Sequence, residues 1–231
     1  HMVMPSGPTE MRGGRGRGLF MGGTQPGNTT INTINLIQVS TTGDATDFGD
    51  LSDRPTQPTT FGDTIRGCVA GGNASPYASL ISKIEYITFS SSGGANDFGE
   101  LTEACRALSN GCSDATRGLR FGGVNSATAF GNRIDFVTIQ TTGDATEFGN
   151  LLLGRYGNPA VSNGVRGIQM AGNTGNSANN INIEFVNIQS KGDGQDFGQM
   201  ISIVDDGGTC CDKTRGVCAT SASGADTIEF I

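Results

Sequence analysis

The chain is poor in the residues that most often carry out chemistry. It has no tryptophan and three lysines, and its one histidine stands at position 1. We interpret His1-Met2 as a cloning remnant, and the remainder then lacks the commonest general base and metal ligand. A serine or cysteine nucleophile needs a base to activate it, and no lysine lies beside such a motif. The sequence therefore predicts a protein that is not an enzyme and uses no cofactor.

Long apolar runs and an excess of positive charge are missing as well. No run reaches the roughly 18 residues that a membrane-spanning helix requires, and no secretory signal is visible. The net charge is −7 and the pI is near 4.6, which argues against a broad nucleic-acid surface. The Arg-Gly stretch at 11–18 is short, and its end belongs to the repeat described next. We expect no membrane insertion and no nucleic-acid partner.

Glycine and β-branched residues are abundant by contrast. The chain has 37 glycines among 231 residues, a composition that favours short strands joined by tight turns. No segment shows a helical period of apolar residues over three turns. We predict an all-β fold.

A repeat of about 50 residues runs through the whole chain. An Arg-Gly pair and a Phe-Gly pair each recur every 49 to 51 positions. Between them lies an alternating strand that begins with isoleucine, such as 34–39 and 84–89. The repeated landmarks are Arg17, Arg66, Arg117, Arg166 and Arg215, and Phe48, Phe98, Phe148 and Phe197.

Each unit accommodates four short strands, as the blade of a β-propeller does. We assign them to the Arg-Gly segment, the isoleucine-rich segment, the Phe-Gly segment, and a fourth segment that follows Leu51, Leu101, Leu151 or Met200. The predicted fold is a five-bladed β-propeller that forms a single domain over 3–231. The predicted repeats are 17–65, 66–116, 117–165, 166–214, and 215–231 together with 3–16.

The unit that begins at Arg215 lacks its outer strands, and residues 3–16 precede the first Arg-Gly pair. A propeller must avoid leaving unpaired strands at its two ends. We therefore expect the ring to be closed by an N-terminal strand within Val3 to Gly16, which would complete the C-terminal blade begun by Arg215 to Ile231.

The glycine doublets Gly22-Gly23, Gly71-Gly72 and Gly122-Gly123 between two strands resemble the kelch repeat. The segments Thr41 to Leu51 and Thr141 to Leu151 resemble, more closely, kelch-like arrays in structural and tail-associated proteins of tailed bacteriophages. The resemblance covers nearly the whole chain, although the kelch tryptophan is missing. It implies a kelch-like propeller that belongs to a virion or binds a host surface.

The repeated arginines have two interpretations. They could form a ring that binds an anion, but a ring of like charges without counter-ions is costly. We favour a pairing of each arginine with an acid, because the guanidinium group holds a carboxylate through two bonds. The acids considered for this pairing are Asp47, Asp97, Glu147 and Asp196.

Two other groups of side chains are ambiguous in the sequence. The acids between Asp44 and Asp50 suggest calcium, but they do not have the EF-hand spacing and turn formation explains them better, so we predict no metal site. The six cysteines contain no Cys-x-x-Cys pair, and we expect free thiols. They are Cys68, Cys105, Cys112, Cys210, Cys211 and Cys218.

The loops that follow the glycine doublets are the candidate binding residues, since binding usually resides in loops on a rigid scaffold. We predict a non-catalytic binding or structural propeller, a virion or tail-associated component that shows these loops to a protein partner or a host glycan. The alternatives are a cytoplasmic kelch-like scaffold and a carbohydrate-active enzyme with carboxylates in its channel. The loop candidates are Gln25, Asn28, Asn73, Tyr77, Asn125, Asn173 and Asn176.

Overall fold

The structure is a computed structural model, and its strands form five antiparallel sheets arranged as a five-bladed β-propeller. The predicted all-β propeller is therefore confirmed. The structure describes residues 2–3, 16–74, 79–106, 111–125, 130–175, 181–204, 206–219 and 227–231.

The first four sheets have four strands each, and the fifth has three among the described residues. Sheet 1 contains β1 (Met2–Val3), β2 (Arg17–Gln25), β3 (Thr29–Gln38) and β4 (Thr46–Asp50). Sheet 2 contains β5 (Thr59–Gly62), β6 (Arg66–Ala70), β7 (Lys83–Thr88) and β8 (Asn96–Glu100). Sheet 3 contains β9 (Cys112–Ser113), β10 (Arg117–Val124), β11 (Phe130–Thr138) and β12 (Thr146–Asn150). Sheet 4 contains β13 (Ala160–Ser162), β14 (Arg166–Met170), β15 (Asn182–Asn187) and β16 (Gln195–Gln199). Sheet 5 contains β17 (Gly208–Cys211), β18 (Gly216–Ala219) and β19 (Ile228–Phe230).

The first strand of each sheet lies innermost, because these strands contact one another from sheet to sheet: β5 touches β1 and β9, and β13 touches β9 and β17. The fourth strand that the sequence analysis assigns to a unit is in fact the innermost strand of the next sheet. The reason is the length of the links. Only residues 63–65 separate β5 from β6, which makes the two strands a hairpin, whereas residues 51–58 cross between sheets.

The N-terminal strand lies in the first sheet. Met2 pairs with Phe20 and Val3 pairs with Leu19. Strand β1 therefore lies beside β2 in the same way as β5 lies beside β6. Val3, at the start of the predicted closing segment, therefore lies in the first blade and not in the C-terminal blade, because the Arg-Gly strand takes its inner neighbour from the preceding residues. Met2, which we had set aside as part of a remnant, belongs to β1. Residues 4–15 of the predicted closing segment lie outside the described residues.

The hydrophobic core consists of layers between neighbouring sheets. Val137 and Ile139 of the third blade pack against Phe61, Ile84 and Phe98 of the second. Equivalent layers join the first sheet to the second and the third to the fourth. Burying one such side chain contributes about 1.5–3 kcal/mol, so the contacts between blades hold the ring together.

The glycine doublets of the first and third sheets form bulges that bring the strand close to the neighbouring segment. The register of β10 and β11 shifts between Phe121 and Gly123. Gly122 has φ +61°, and a Cβ atom there would lie 2.6 Å from the carbonyl oxygen of Arg155. Only glycine satisfies both the left-handed backbone and this close approach.

Candidate binding surface

Three of the repeated arginines join their own blade to the next. Arg66 Nη1 donates to Ile139 O and Arg117 Nη1 donates to Ile188 O, both at 3.0 Å. Arg17 Nη1 makes the same bond to Phe89 O. Each acceptor belongs to the following blade.

The predicted pairing of these arginines with acids is wrong for the described residues. Glu147 is 3.8 Å from Arg133 instead. The guanidinium groups lie over aromatic rings: Arg66 is 4.3 Å from the centroid of Tyr86, and equivalent contacts recur in three more sheets. The hydrogen bond to a carbonyl oxygen and the cation–π contact stabilise the guanidinium charge without a carboxylate. We therefore interpret these arginines as structural residues of the propeller.

The acids of the Gly-Asp turns also join neighbouring blades. Asp144 Oδ1 accepts the backbone N–H of Glu100 at 3.0 Å, and Asp193 Oδ1 accepts that of Asn150 at 2.9 Å. In both cases the turn of one blade bonds to the outer strand of the preceding blade. These carboxylates act as turn residues, as the sequence suggested.

The cysteines, all six of which are described, form no disulfide. Burial raises the pKa of the Cys68, Cys105 and Cys112 thiols above their ordinary value. Burial, and then the nearby charge of Glu229, raise the pKa of Cys218 to about 11. Cys210 alone is exposed, so the buried thiols act as small core residues.

Two buried charged pairs were not predicted from the sequence. Arg120 Nη2 lies 2.6 Å from Asp135 Oδ2, and Arg155 pairs with Glu184 at the next junction. Arg155 Nη1 also donates to the carbonyl oxygen of Ala171 at 2.9 Å. The signal available in the sequence was an arginine at position 120, where the other repeats have Phe20, Val69, Gln169 and Cys218.

The predicted loop residues do not all share one environment. Gln25 and Asn28 are exposed at the end of the β2–β3 hairpin. Asn73 is buried, because its backbone pairs with Thr56 and its Nδ2 donates to Gln57 Oε1 at 3.3 Å. Tyr77 and Asn176 lie outside the described residues.

Asn125 and Asn173 instead lie at two neighbouring side-chain clusters. The first is polar: Asn125 Nδ2 donates to Glu103 Oε2 at 3.2 Å, and the other carboxylate oxygen of Glu103 is 4.0 Å from Arg133 Nε and 3.4 Å from Arg120 Nη2. Arg133 and Glu103 are 37 % and 23 % exposed, so the polar groups of this cluster reach solvent.

The second cluster is aromatic. The rings of Phe130 and Tyr156 are stacked with centroids 5.1 Å apart and an angle of 21° between their planes. Asn173 Nδ2 donates to the Tyr156 hydroxyl at 3.2 Å, and its Oδ1 accepts the N–H of Gly175 at 2.8 Å. A Cβ at Gly175 would lie 2.7 Å from the Phe130 ring, so glycine there lets the loop cover the ring edge.

Gly131 connects the two clusters. It follows Phe130, and a Cβ at this position would lie 3.7 Å from both Asn125 Nδ2 and Glu103 Oε1. The surface formed by Glu103, Asn125, Phe130, Tyr156 and Asn173 is called the loop platform below. Sequence reasoning missed Phe130, Tyr156 and Glu103, because they meet only when the links between sheets approach the β10–β11 hairpin.

The described residues contain no group of three His, Cys, Asp or Glu placed to hold a metal ion. They also contain no helix that is long and apolar enough to cross a membrane. No protein-family model matches the chain, and a search of curated proteins finds no match.

Proposed function

We propose that the protein is a non-catalytic recognition propeller that binds a glycan through the loop platform. The observation that supports this most directly is the stacked pair of Phe130 and Tyr156, edged by the amide of Asn173. Ligand sites combine aromatic surface with a few fixed polar groups that orient the ligand. A sugar ring offers both an apolar C–H face and hydroxyl groups to such a surface.

The polar half of the platform would supply specificity. Glu103 and Arg133 offer an acceptor and a donor beside Asn125, and an arrangement of this kind suits the hydroxyl groups of a neighbouring sugar unit. The charged groups are held by bonds to one another, so they are oriented before the ligand arrives. Such preorganisation reduces the entropic cost of binding.

The wider role follows from the resemblance of the Thr-Thr-Gly-Asp-Ala-Thr repeats to those of tailed-phage proteins. We propose that the chain is a tail-associated or structural component of a virion and that the glycan belongs to the host surface. A kelch-like scaffold that binds a protein partner through the same platform is the alternative, because aromatic and amide side chains also suit a wet protein interface.

A glycan array followed by titration calorimetry tests the proposal. We expect binding to at least one oligosaccharide, and we expect Tyr156→Ala or Asn173→Ala to weaken it by about tenfold or more, since each removes an anchor of the site. Asn28→Ala is the matched control, because Asn28 is an exposed loop asparagine in another sheet, and its affinity should equal that of the unaltered protein.

Two results would contradict the glycan proposal. One is the absence of glycan binding by the folded protein together with capture of a specific protein partner that the Tyr156→Ala variant loses, which would favour the scaffold. The other is glycan binding that survives both platform substitutions, which would move the site elsewhere on the propeller.

A further inference from the structure

Three blade junctions carry different side chains at one equivalent position. The link that enters sheets 2, 3 and 4 makes an isolated backbone bridge in each sheet, from Thr56 to Asn73, from Arg106 to Val124 and from Tyr156 to Asn173. The ring of Tyr156 at this position forms the aromatic half of the loop platform. Arg106 therefore occupies, one junction earlier, the place from which Tyr156 contributes to the proposed glycan site.

Arg106 lies on the same face of the third sheet as the stacked rings. Val124 pairs with Arg106 on one side and with Phe130 on the other. Residues directly opposite each other on antiparallel strands project to the same face, and two strand spacings amount to about 10 Å. The guanidinium group is thus placed beside the aromatic rings, at a separation that a neighbouring sugar unit or its substituent would bridge.

The charge of Arg106 is not neutralised in the way that the charge of its neighbour Arg133 is. Arg133 lies 4.0 Å from Glu103 and 3.8 Å from Glu147. In the part of the chain that the structure describes, no acid forms an ion pair with Arg106. The hydrogen bonds found there for Arg106 join its backbone to Val124. Arg106 is half-buried, and its guanidinium group carries five N–H donors.

The acid three residues before Arg106 is engaged elsewhere. Glu103 Oε2 accepts the bond from Asn125 at 3.2 Å. Glu103 Oε1 lies 3.4 Å from Arg120 Nη2 and 4.0 Å from Arg133 Nε. Both oxygens of this carboxylate therefore have partners, and the guanidinium of Arg106 is available to an acid that the ligand brings.

We propose that the glycan bound at the loop platform is acidic, and that Arg106 binds a carboxylate of the sugar unit next to the one packed on Phe130 and Tyr156. This inference rests on the proposed function and adds the class of glycan to it. The planar guanidinium group matches a planar carboxylate through two parallel bonds. A bond to a charged group stabilises a complex more than a neutral bond does, so the acid should be preferred to a neutral sugar of the same shape.

The negative charge of the whole chain does not exclude an acidic ligand. The net charge is −7, but exposed charges more than about 8 Å apart are largely screened at physiological ionic strength. At hydrogen-bond distance the groups of the site itself decide the interaction. The affinity for the acidic glycan should consequently fall as salt is added, because the contact with Arg106 reaches solvent.

An acidic oligosaccharide and the same oligosaccharide with its carboxyl group reduced to an alcohol form a matched pair of ligands for titration calorimetry. We expect the acid to bind about tenfold or more tightly. Arg106→Gln should remove this preference and leave the affinity for the reduced form unchanged, whereas Tyr156→Ala should weaken both forms by the same factor. Arg54→Gln is the matched control, because Arg54 is an exposed arginine in the link to the second sheet, and it should keep the preference.

The outcomes separate this inference from the proposed function. If the acid and its reduced form bind equally well and Tyr156→Ala weakens both, the role of Arg106 is overturned while the glycan site stands. A preference for the acid that survives Arg106→Gln overturns it as well. Arg106→Lys keeps the charge without the planar fork and should retain only part of the preference, and its binding of the reduced form shows that the variant is folded. The absence of any glycan binding would overturn the proposed function and this inference together.

Discussion

Arg120 Nη2 lies 2.6 Å from Asp135 Oδ2 across strands β10 and β11, and each side chain is 1 % exposed. Asp135 Oδ1 also accepts a bond from the hydroxyl of Thr102 at 2.6 Å, and Thr102 belongs to the link that leaves the second sheet. One carboxylate therefore ties two neighbouring blades together.

Asp135→Ala should destabilise the protein strongly. It leaves the Arg120 guanidinium buried with only the more distant Glu103, at 3.4 Å, as an acidic partner. Loss of one member of a buried pair costs about 3–5 kcal/mol, to be measured as the change in free energy of unfolding in urea. Asp53→Ala, which breaks the exposed pair with Lys83, is the control and should cost less than about 1 kcal/mol. Equal effects of the two variants would contradict the role of burial.

The five repeated arginines predicted five modules, and the phenylalanines kept the same spacing. Phe48, Phe98 and Phe148 do so because each fills the same place between two sheets. A periodic pattern does not show where one unit ends and the next begins, however. It therefore could not show that β5, the strand after Leu51, belongs to the second sheet. The loop platform was partly predicted through Asn125 and Asn173. Its aromatic half depends on Tyr156 meeting Phe130, and no local pattern in the sequence reports that contact.

Cys210 should be the thiol that alkylates fastest in the native protein. It is exposed, whereas Cys112 is fully buried and its pKa is raised by burial, and the thiolate is the reactive form. Mass spectrometry after iodoacetamide at pH 8 should show one rapid modification, which Cys210→Ser removes. Rapid modification at Cys112 in the folded protein would contradict the buried core between sheets 3 and 4.

Ionisation of Cys218 should lower the free energy of unfolding at alkaline pH. Its pKa is about 11 in the folded protein against an ordinary value of 9.0. The folded state therefore retains a proton that the unfolded state loses, so the stabilising contribution is complete below pH 9 and disappears as the pH rises to 11. The free energy of unfolding of Cys218→Ala should fall less over this interval than that of the unaltered protein. Parallel curves would show that Cys218 is not responsible.

Gly49 and Gly198 offer a matched test of how the blades meet at the outer rim. Their φ angles are +151° and +146°, so alanine meets similar backbone strain at either position. A Cβ at Gly49 would overlap the carbonyl group of Gly93 in the next blade, but a Cβ at Gly198 has no atom within 4 Å.

Gly49→Ala should therefore destabilise the protein by about 2 kcal/mol more than Gly198→Ala, the usual cost of forcing atoms into a packed place. The measurement is the difference between the two urea midpoints at equal m-values. The added cost is steric and arises between blades, because the backbone strain is common to both variants. If the two substitutions cost the same, the turn at Gly93 does not pack against the first sheet.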